Sequence, residues 1–317
     1  MKLLLGVLLL CSQLTVITAQ TLYSKAYGKP GAEAIIFLHG GPGASSIDFE
    51  VMTAQKLANQ GFFVVVYDRR GEGRSSDDSA KYSFQQTFSD LDSIYTKYKL
   101  RKASLIGHSF GGVVATLYAE HKPENVSNLV LVSAPTSIQL IFRTVLKKAD
   151  SLAKNKNDTV TLREISEIRQ LDTTTLQYSA SCFMMASKFK FYNPADPTKR
   201  AKKLYALFET NETLKDYTGW LGKTQYKTMF TPVISFSKNE HYTMLNVLSQ
   251  LNQLSEKKIP VYALYGAEDG LYDSAQYSLL KPLCKKFVVL ANCSHGVFMD
   301  QQEIFVDTLK NWIYNPN

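Results

Sequence analysis

Ser109 stands in Gly-His-Ser-Phe-Gly, residues Gly107 to Gly111, between the β-run Ala103 to Ile106 and a helix-like run Val113 to Glu120. A serine at the tip of such a strand–turn–helix elbow is held in a strained conformation with Oγ exposed, and the flanking glycines let two backbones approach without a Cβ. A serine hydroxyl is a weak nucleophile at neutral pH and needs a base, which needs an acid to fix its tautomer. Both are present in order. Asp269 ends Tyr-Gly-Ala-Glu-Asp after the apolar strand Val261 to Leu264, and His295 lies in Asn-Cys-Ser-His-Gly after the strand Phe287 to Leu290. Asp273, four residues on, is the nearest rival acid.

A negative charge developing on a carbonyl oxygen also needs donors. His-Gly-Gly-Pro-Gly, His39 to Gly43, follows the buried strand Ile35 to Leu38, which points to the N–H of Gly41 as one donor and that of Phe110, next to the nucleophile, as the other. Taken singly, each piece has an ordinary reading as a turn or a structural histidine. Four of them in this order, each at the C-terminal end of a strand, form one constellation at the edge where open α/β sheets bind ligands. His39 and His108 sit in backbone motifs and are read as packing residues. Asp68 to Ser75, with one leading acid and three arginines, is read as a structural turn closing the core. His121 falls at a helix end, where a cation suits the dipole.

These side chains must be positioned by strands and helices in alternation. Apolar runs lie at 34–38, 62–67, 103–106, 128–133, 260–265 and 286–290, and amphipathic helix patterns near 48–59, 84–98, 111–121, 274–281 and 300–313. Such alternation predicts an α/β fold, a mostly parallel sheet with helices on both faces. Residues 21–28 are expected to add an antiparallel edge hairpin or strand. Residues 135–258 break the alternation, being too long for a crossover. They predict a mainly helical cap inserted between the sixth and seventh core strands, with the core formed by 20–134 and 259–317.

The motifs carry a family resemblance. His-Gly-Gly-Pro-Gly at 39–43, Asp-Arg-Arg-Gly-Glu-Gly-Arg-Ser at 68–75 and Gly-His-Ser-Phe-Gly-Gly at 107–112, with the run Leu117 to Val126, resemble the α/β-hydrolase superfamily, specifically the proline iminopeptidase (prolyl aminopeptidase) family of serine peptidases. The chain departs from that family at His108 and Phe110, where Gly and Trp are frequent, and at Arg69, where Gln is frequent. The resemblance implies the α/β-hydrolase fold and removal of an N-terminal residue. It also implies cap carboxylates that hold the substrate's ammonium. Glu164, Glu167, Glu209, Glu212 and Glu240 are candidates for this by location. A carboxylesterase or lactonase with the same triad is the alternative, since it needs only an apolar acyl pocket. A non-catalytic binding protein on the same scaffold is the remote one.

The first 19 residues read as a signal peptide: Lys2, the apolar run Leu3 to Cys11, and Ala19 before the cut. The apolar run is short for a bilayer span, which takes about 20 residues. The expectation is a secreted or periplasmic protein with no stable membrane span after cleavage. Cys182, Cys284 and Cys293 would then remain, with room for at most one disulfide, and unpaired thiols are the expectation. Asn-x-Ser/Thr triplets begin at Asn125, Asn157, Asn211 and Asn292, and a glycan on the last would crowd His295. No cofactor, metal or nucleic-acid motif is visible, so the expected partner is a small molecule or short peptide. The net charge of +8 is concentrated in 135–258, which holds 19 Lys and Arg against 11 Asp and Glu. A solvated lysine-rich helical surface is the favoured reading of that excess, with steering of anionic ligands the alternative.

Overall fold

The computed structural model describes residues 22–218 and 225–315. The signal-peptide segment 1–19 and its cut site, and Trp220 of the cap, lie outside the described residues.

Seven strands form one sheet: β1 Ser24–Tyr27, β2 Ala34–Leu38, β3 Phe63–Tyr67, β4 Ala103–His108, β5 Val126–Val132, β6 Val261–Gly266 and β7 Lys286–Leu290. Their order is β1-β3-β2-β4-β5-β6-β7, with β1 antiparallel to β3 and every other pair parallel. The central strands read as unbroken apolar runs, Ala34-Ile-Ile-Phe-Leu38 and Phe63-Val-Val-Val-Tyr67, because helices cover both faces. Alternate side chains of β2 and β3 separate accordingly. Ile36, Leu38, Val65 and Tyr67 join one buried cluster, and Ile35, Phe37, Val64 and Val66 join a second on the opposite face.

One expectation needs correcting. The helical insertion follows β5 and precedes β6, the fifth and sixth strands, not the sixth and seventh. The four residues of β1 pair along β3 as a single edge strand, so among the described residues no second hairpin strand raises the count. The insertion runs through helices Ile138–Asn155, Thr159–Ile168, Leu176–Lys188, Lys199–Tyr205, Leu207–Thr210, Glu212–Thr218, Gln225–Glu240 and Leu248–Glu256. Its two ends are clipped together: Ile138 N–H donates to Leu245 O at 3.0 Å and Val247 N–H to Thr136 O at 2.8 Å. Beyond this clip, Leu248–Glu256 lies against the helix Phe110–His121 and joins the layer covering the sheet. Among the described residues no helix is long and apolar enough to cross a membrane.

Candidate active site

β4 ends in a backbone reversal that only this sequence pattern tolerates. Ser109 has φ 51° and ψ −126°, and the helix Phe110–His121 begins at the next residue. A Cβ on Gly107 would stand 2.5 Å from Gly111 O, and one on Gly111 would stand 2.1 Å from Leu38 O. Both glycines are required by close approach of neighbouring backbone. A residue held at positive φ, against its preference, presents its side chain where relaxed backbone would not.

Asp269 and His295 are delivered by the loops after β6 and β7. His295 Nδ1 lies 2.8 Å from Asp269 Oδ2, and the carboxylate is wholly buried while the imidazole is 13 % exposed. Asp269 Oδ1 accepts from Leu271 N–H at 3.0 Å, so both its oxygens are engaged. Asp273, the rival acid, instead caps the helix Ser274–Leu280 by accepting from Gln276 N–H at 3.1 Å. The loops are braced from behind. Ser294 N–H donates to Asp300 Oδ2 at 2.7 Å, and Tyr205 of the insertion hydrogen-bonds the other oxygen of Asp300. Lys148, on Ile138–Asn155, donates to the backbone oxygens of Asp269 and Tyr272 at 3.2 and 2.6 Å. Burial draws its ammonium pKa down.

Ser109 and His295 line one cavity of about 340 Å³. Gly41 and Phe110 line it too, and among the described residues neither N–H is seen to donate to another group of the chain. Gly41 has φ +111°, where a Cβ would stand 2.8 Å from Gly43 N. The Asp68 to Ser75 turn holds this loop. Arg69 donates to His39 O at 2.6 Å and to Gly40 O, while pairing with Glu72 at 2.9 Å. Glu72 in turn accepts from Gly43 N–H at 2.7 Å. Arg74 binds Asp68 at 2.7 Å and Glu50 at 2.6 Å. Burial pushes the Asp68 carboxyl upward, but Arg74 and Ser46 outweigh it and the net displacement is downward. The structural reading of this turn stands, with the addition that it clamps the glycine-rich loop.

The two neighbouring histidines are neutral. His39 Nε2 accepts from Arg69 N–H at 3.0 Å, which places the proton on Nδ1, donated to Gly40 O at 2.9 Å. Burial, aided by Arg69, draws its pKa well down. His108 Nε2 donates to His295 O at 3.0 Å, and burial, with His295 alongside, lowers His108 to about 3.

The insertion supplies the opposite wall: Ile138, Ile141, Phe183, Tyr192, Val233 and Tyr242. Tyr192 meets His295 edge to face at 5.5 Å. None of the five candidate glutamates lines this cavity. Glu164 and Glu167 line a separate groove on the insertion, Glu164 pairing with Lys188 at 2.5 Å. Glu209 and Glu212 are exposed. Glu240 accepts from Phe84 N–H at 2.7 Å, capping the helix Phe84–Lys97. Helical periodicity cannot say which face of an inserted helix looks onto the nucleophile, and these acids face solvent or another helix. The acid that does line the cavity is Asp48, missed in the sequence because it lies five residues past the glycine-rich motif in the first turn of a helix, where an acid reads as an ordinary helix-start residue.

A family model for the alpha/beta hydrolase fold matches residues 33–302. The chain belongs to that family. It is 27% identical over 292 residues to a proline iminopeptidase of Lactobacillus delbrueckii subsp. bulgaricus, covering 89% of this chain and 90% of the relative. Among solved structures it resembles a proline iminopeptidase-related protein from Thermus thermophilus, with TM-score 0.63, 21% identity and 91% of each chain covered. It also resembles an esterase from Exiguobacterium antarcticum, with TM-score 0.61 and 18% identity over 93% of this chain and 96% of that one. This chain is therefore a hydrolase of the α/β fold, with proline iminopeptidases among its sequence relatives and an esterase among the structures that share its fold. Cys182, Cys284 and Cys293 are unpaired. Burial pushes the Cys182 and Cys284 thiols up to about 12.

Proposed function

We propose that this hydrolase cleaves an amide or ester through an acyl-enzyme on Ser109, and that the bond is that of an N-terminal aminoacyl group. The observation that carries the reading is the His295–Asp269 pair at 2.8 Å, with His295 facing the cavity that Ser109 also lines. In this reading Ser109 Oγ attacks the substrate carbonyl carbon while His295 Nε2 takes the hydroxyl proton. Asp269 holds the Nδ1–H tautomer and stabilises the imidazolium. The N–H groups of Gly41 and Phe110 receive the oxyanion; one such donor is worth about 2.7–4 kcal/mol. His295 passes its proton to the departing nitrogen or oxygen as the C–N or C–O bond breaks. Water then attacks the acyl-enzyme, gives a proton to His295, and Ser109 recovers its own.

The aminoacyl preference is supported by the proline iminopeptidase relatives. A plain carboxylesterase or lactonase is the second reading, favoured by one observation: no glutamate among the described residues of the insertion faces the cavity. An active-site phosphonate should label wild type on Ser109, and Ser109→Ala should lose both label and turnover while keeping its circular dichroism. Label on another serine would overturn the assignment. Turnover of alanine or proline arylamides decides for the first reading, and turnover of simple acyl esters alone for the second. Export is part of the proposal: secreted protein should begin near Gln20, and terminal sequencing showing Met1 instead would refute cleavage.

A further inference from the structure

Asp48 is the only Asp or Glu, and the only acidic or basic side chain apart from histidine, among the described residues that line the cavity. It projects from Ile47–Phe49, the first turn of the helical stretch that follows the glycine-rich loop. Its Oδ1 accepts from Phe49 N–H at 2.7 Å. No ion pair is made to it among the described residues. Arg74, whose charge it feels, is already committed to Asp68 and Glu50. The carboxylate is only part-exposed. Withdrawing an unpaired carboxylate from water is costly, and a buried charge is ordinarily paired. Among the described residues the chain supplies no such partner, and the opening is toward the cavity. A cavity of this volume is the size of a small substrate. Its two walls differ in kind: the insertion offers apolar and tyrosine side chains, and the core loop offers this one negative charge.

We propose that Asp48 is the subsite for a positively charged nitrogen on the substrate, so that this enzyme prefers small acyl groups carrying a free amine. The proposal rests on the serine-hydrolase reading for its reaction but not for its binding. Burial pushes the Asp48 carboxyl up to about 6, opposed chiefly by the Phe49 N–H bond, with Asp68 adding to the rise and Arg74 opposing it. It remains mostly ionised at neutral pH, as pairing with an ammonium requires.

The test compares wild type, Asp48→Asn and Asp48→Glu. Asparagine keeps the oxygen that accepts from Phe49 N–H and removes only the charge. The substrates are L-alanine 4-nitroanilide and its N-acetyl derivative, with 4-nitrophenyl propionate as the ester counterpart. Calorimetric titration with L-alaninol, an unreactive amine, reads binding without turnover. Asp48→Asn should lower the selectivity for free over acetylated amine at least tenfold, mainly through KM. It should also weaken alaninol binding tenfold or more, and Asp48→Glu should restore part of both. Equal selectivity and equal alaninol affinity in wild type and Asp48→Asn would overturn the proposal, as would a wild type that does not bind alaninol. A kcat loss shared by all three substrates with alaninol binding intact would also overturn it, by placing Asp48 in the reaction rather than on the amine. Ser109→Ala should lose turnover but retain alaninol binding. A failure of the serine reading therefore appears in turnover, and a failure of this inference in binding.

Discussion

The two walls of the cavity are built on different principles. The core wall is backbone held by buried charge: Arg69 and Glu72 grip the oxygens of His39 and Gly40 and the N–H of Gly43, and glycines fill positions where a Cβ cannot go. The wall from the insertion is side chain only. Phe183, Val233 and Tyr242 present apolar surface from separate helices, and the segment is anchored at its base by the clip between Ile138 and Leu245 and between Thr136 and Val247. The contrast assigns reaction geometry to the backbone of the first wall, whose one charged side chain on the cavity among the described residues, Asp48, is left to select the amine, and assigns the fit of the acyl group to the second. Electrostatic help at a developing charge demands donors fixed in advance, whereas a hydrophobic pocket discriminates by shape.

Substitutions that attack the core side, Asp48 apart, should therefore damage every substrate alike. The largest effect is expected at the acid. Asp269→Asn should lower kcat about 10⁴-fold through the wrong imidazole tautomer, and Asp273→Asn should leave both turnover and stability close to normal, because asparagine caps a helix about as well as aspartate. Steady-state kinetics and urea unfolding of both variants check this; the reverse pattern would move the acid to Asp273. Next is the clamp. Glu72→Gln strands the Arg69 guanidinium in a buried site, and losing one partner of a buried pair costs about 3–5 kcal/mol. Unfolding near the wild-type midpoint would show that the glycine-rich loop does not depend on that pair.

A pH experiment probes the same wall. His108 is held neutral with its pKa lowered to about 3, against an unfolded value near 6.5. Its contribution to stability is complete above the unfolded value and is lost as pH falls toward the folded one, because the unfolded chain takes up the proton first. Between pH 6.5 and 5 this amounts to roughly 2 kcal/mol at one pKa unit per 1.36 kcal/mol. His108→Gln should flatten that part of the stability curve, measured by thermal unfolding across pH. An unchanged slope would deny that the imidazole is buried neutral.

The smallest effect is expected across the cavity. Val233→Ala adds about two methylenes of room, worth at least roughly tenfold in relative kcat/KM between a short and a longer acyl chain, with the phosphonate labelling rate nearly unaltered. If it slowed all substrates and the label together, the division between the walls would be wrong.

How far each wall was legible in the sequence follows from the same physics. The elbow at Gly107 to Gly111 and the turn at His39 to Gly43 are local: close backbone approach and positive φ at Gly41 demand glycine, and that demand is written in neighbouring letters. The parallel strands are equally local, since burial on both faces requires continuous apolar runs such as Phe63 to Tyr67. Ser109, Asp269 and His295 could be placed at strand ends because strand order and strand-end loops are properties of the chain's alternation. The count of strands before the insertion was less secure, because an edge strand and an edge hairpin differ by a few weakly patterned residues around Ser24–Tyr27.

Which carboxylate enters the cavity was decided only by the tertiary structure. An acid on an amphipathic helix has the same sequence signature whether its face meets solvent, another helix or a ligand. Glu164 went to Lys188, Glu240 to the N-terminus of Phe84–Lys97, and Glu209 and Glu212 to water. Asp48 reached the cavity because the helix start Ile47–Phe49 is fixed from two sides, by the stacking of Phe49 on Phe37 at 3.7 Å and by the Ser46 N–H bound to Asp68 at 2.8 Å. Both partners lie far along the chain or on another strand, so the direction of that carboxylate is set by packing between elements, which no local pattern records.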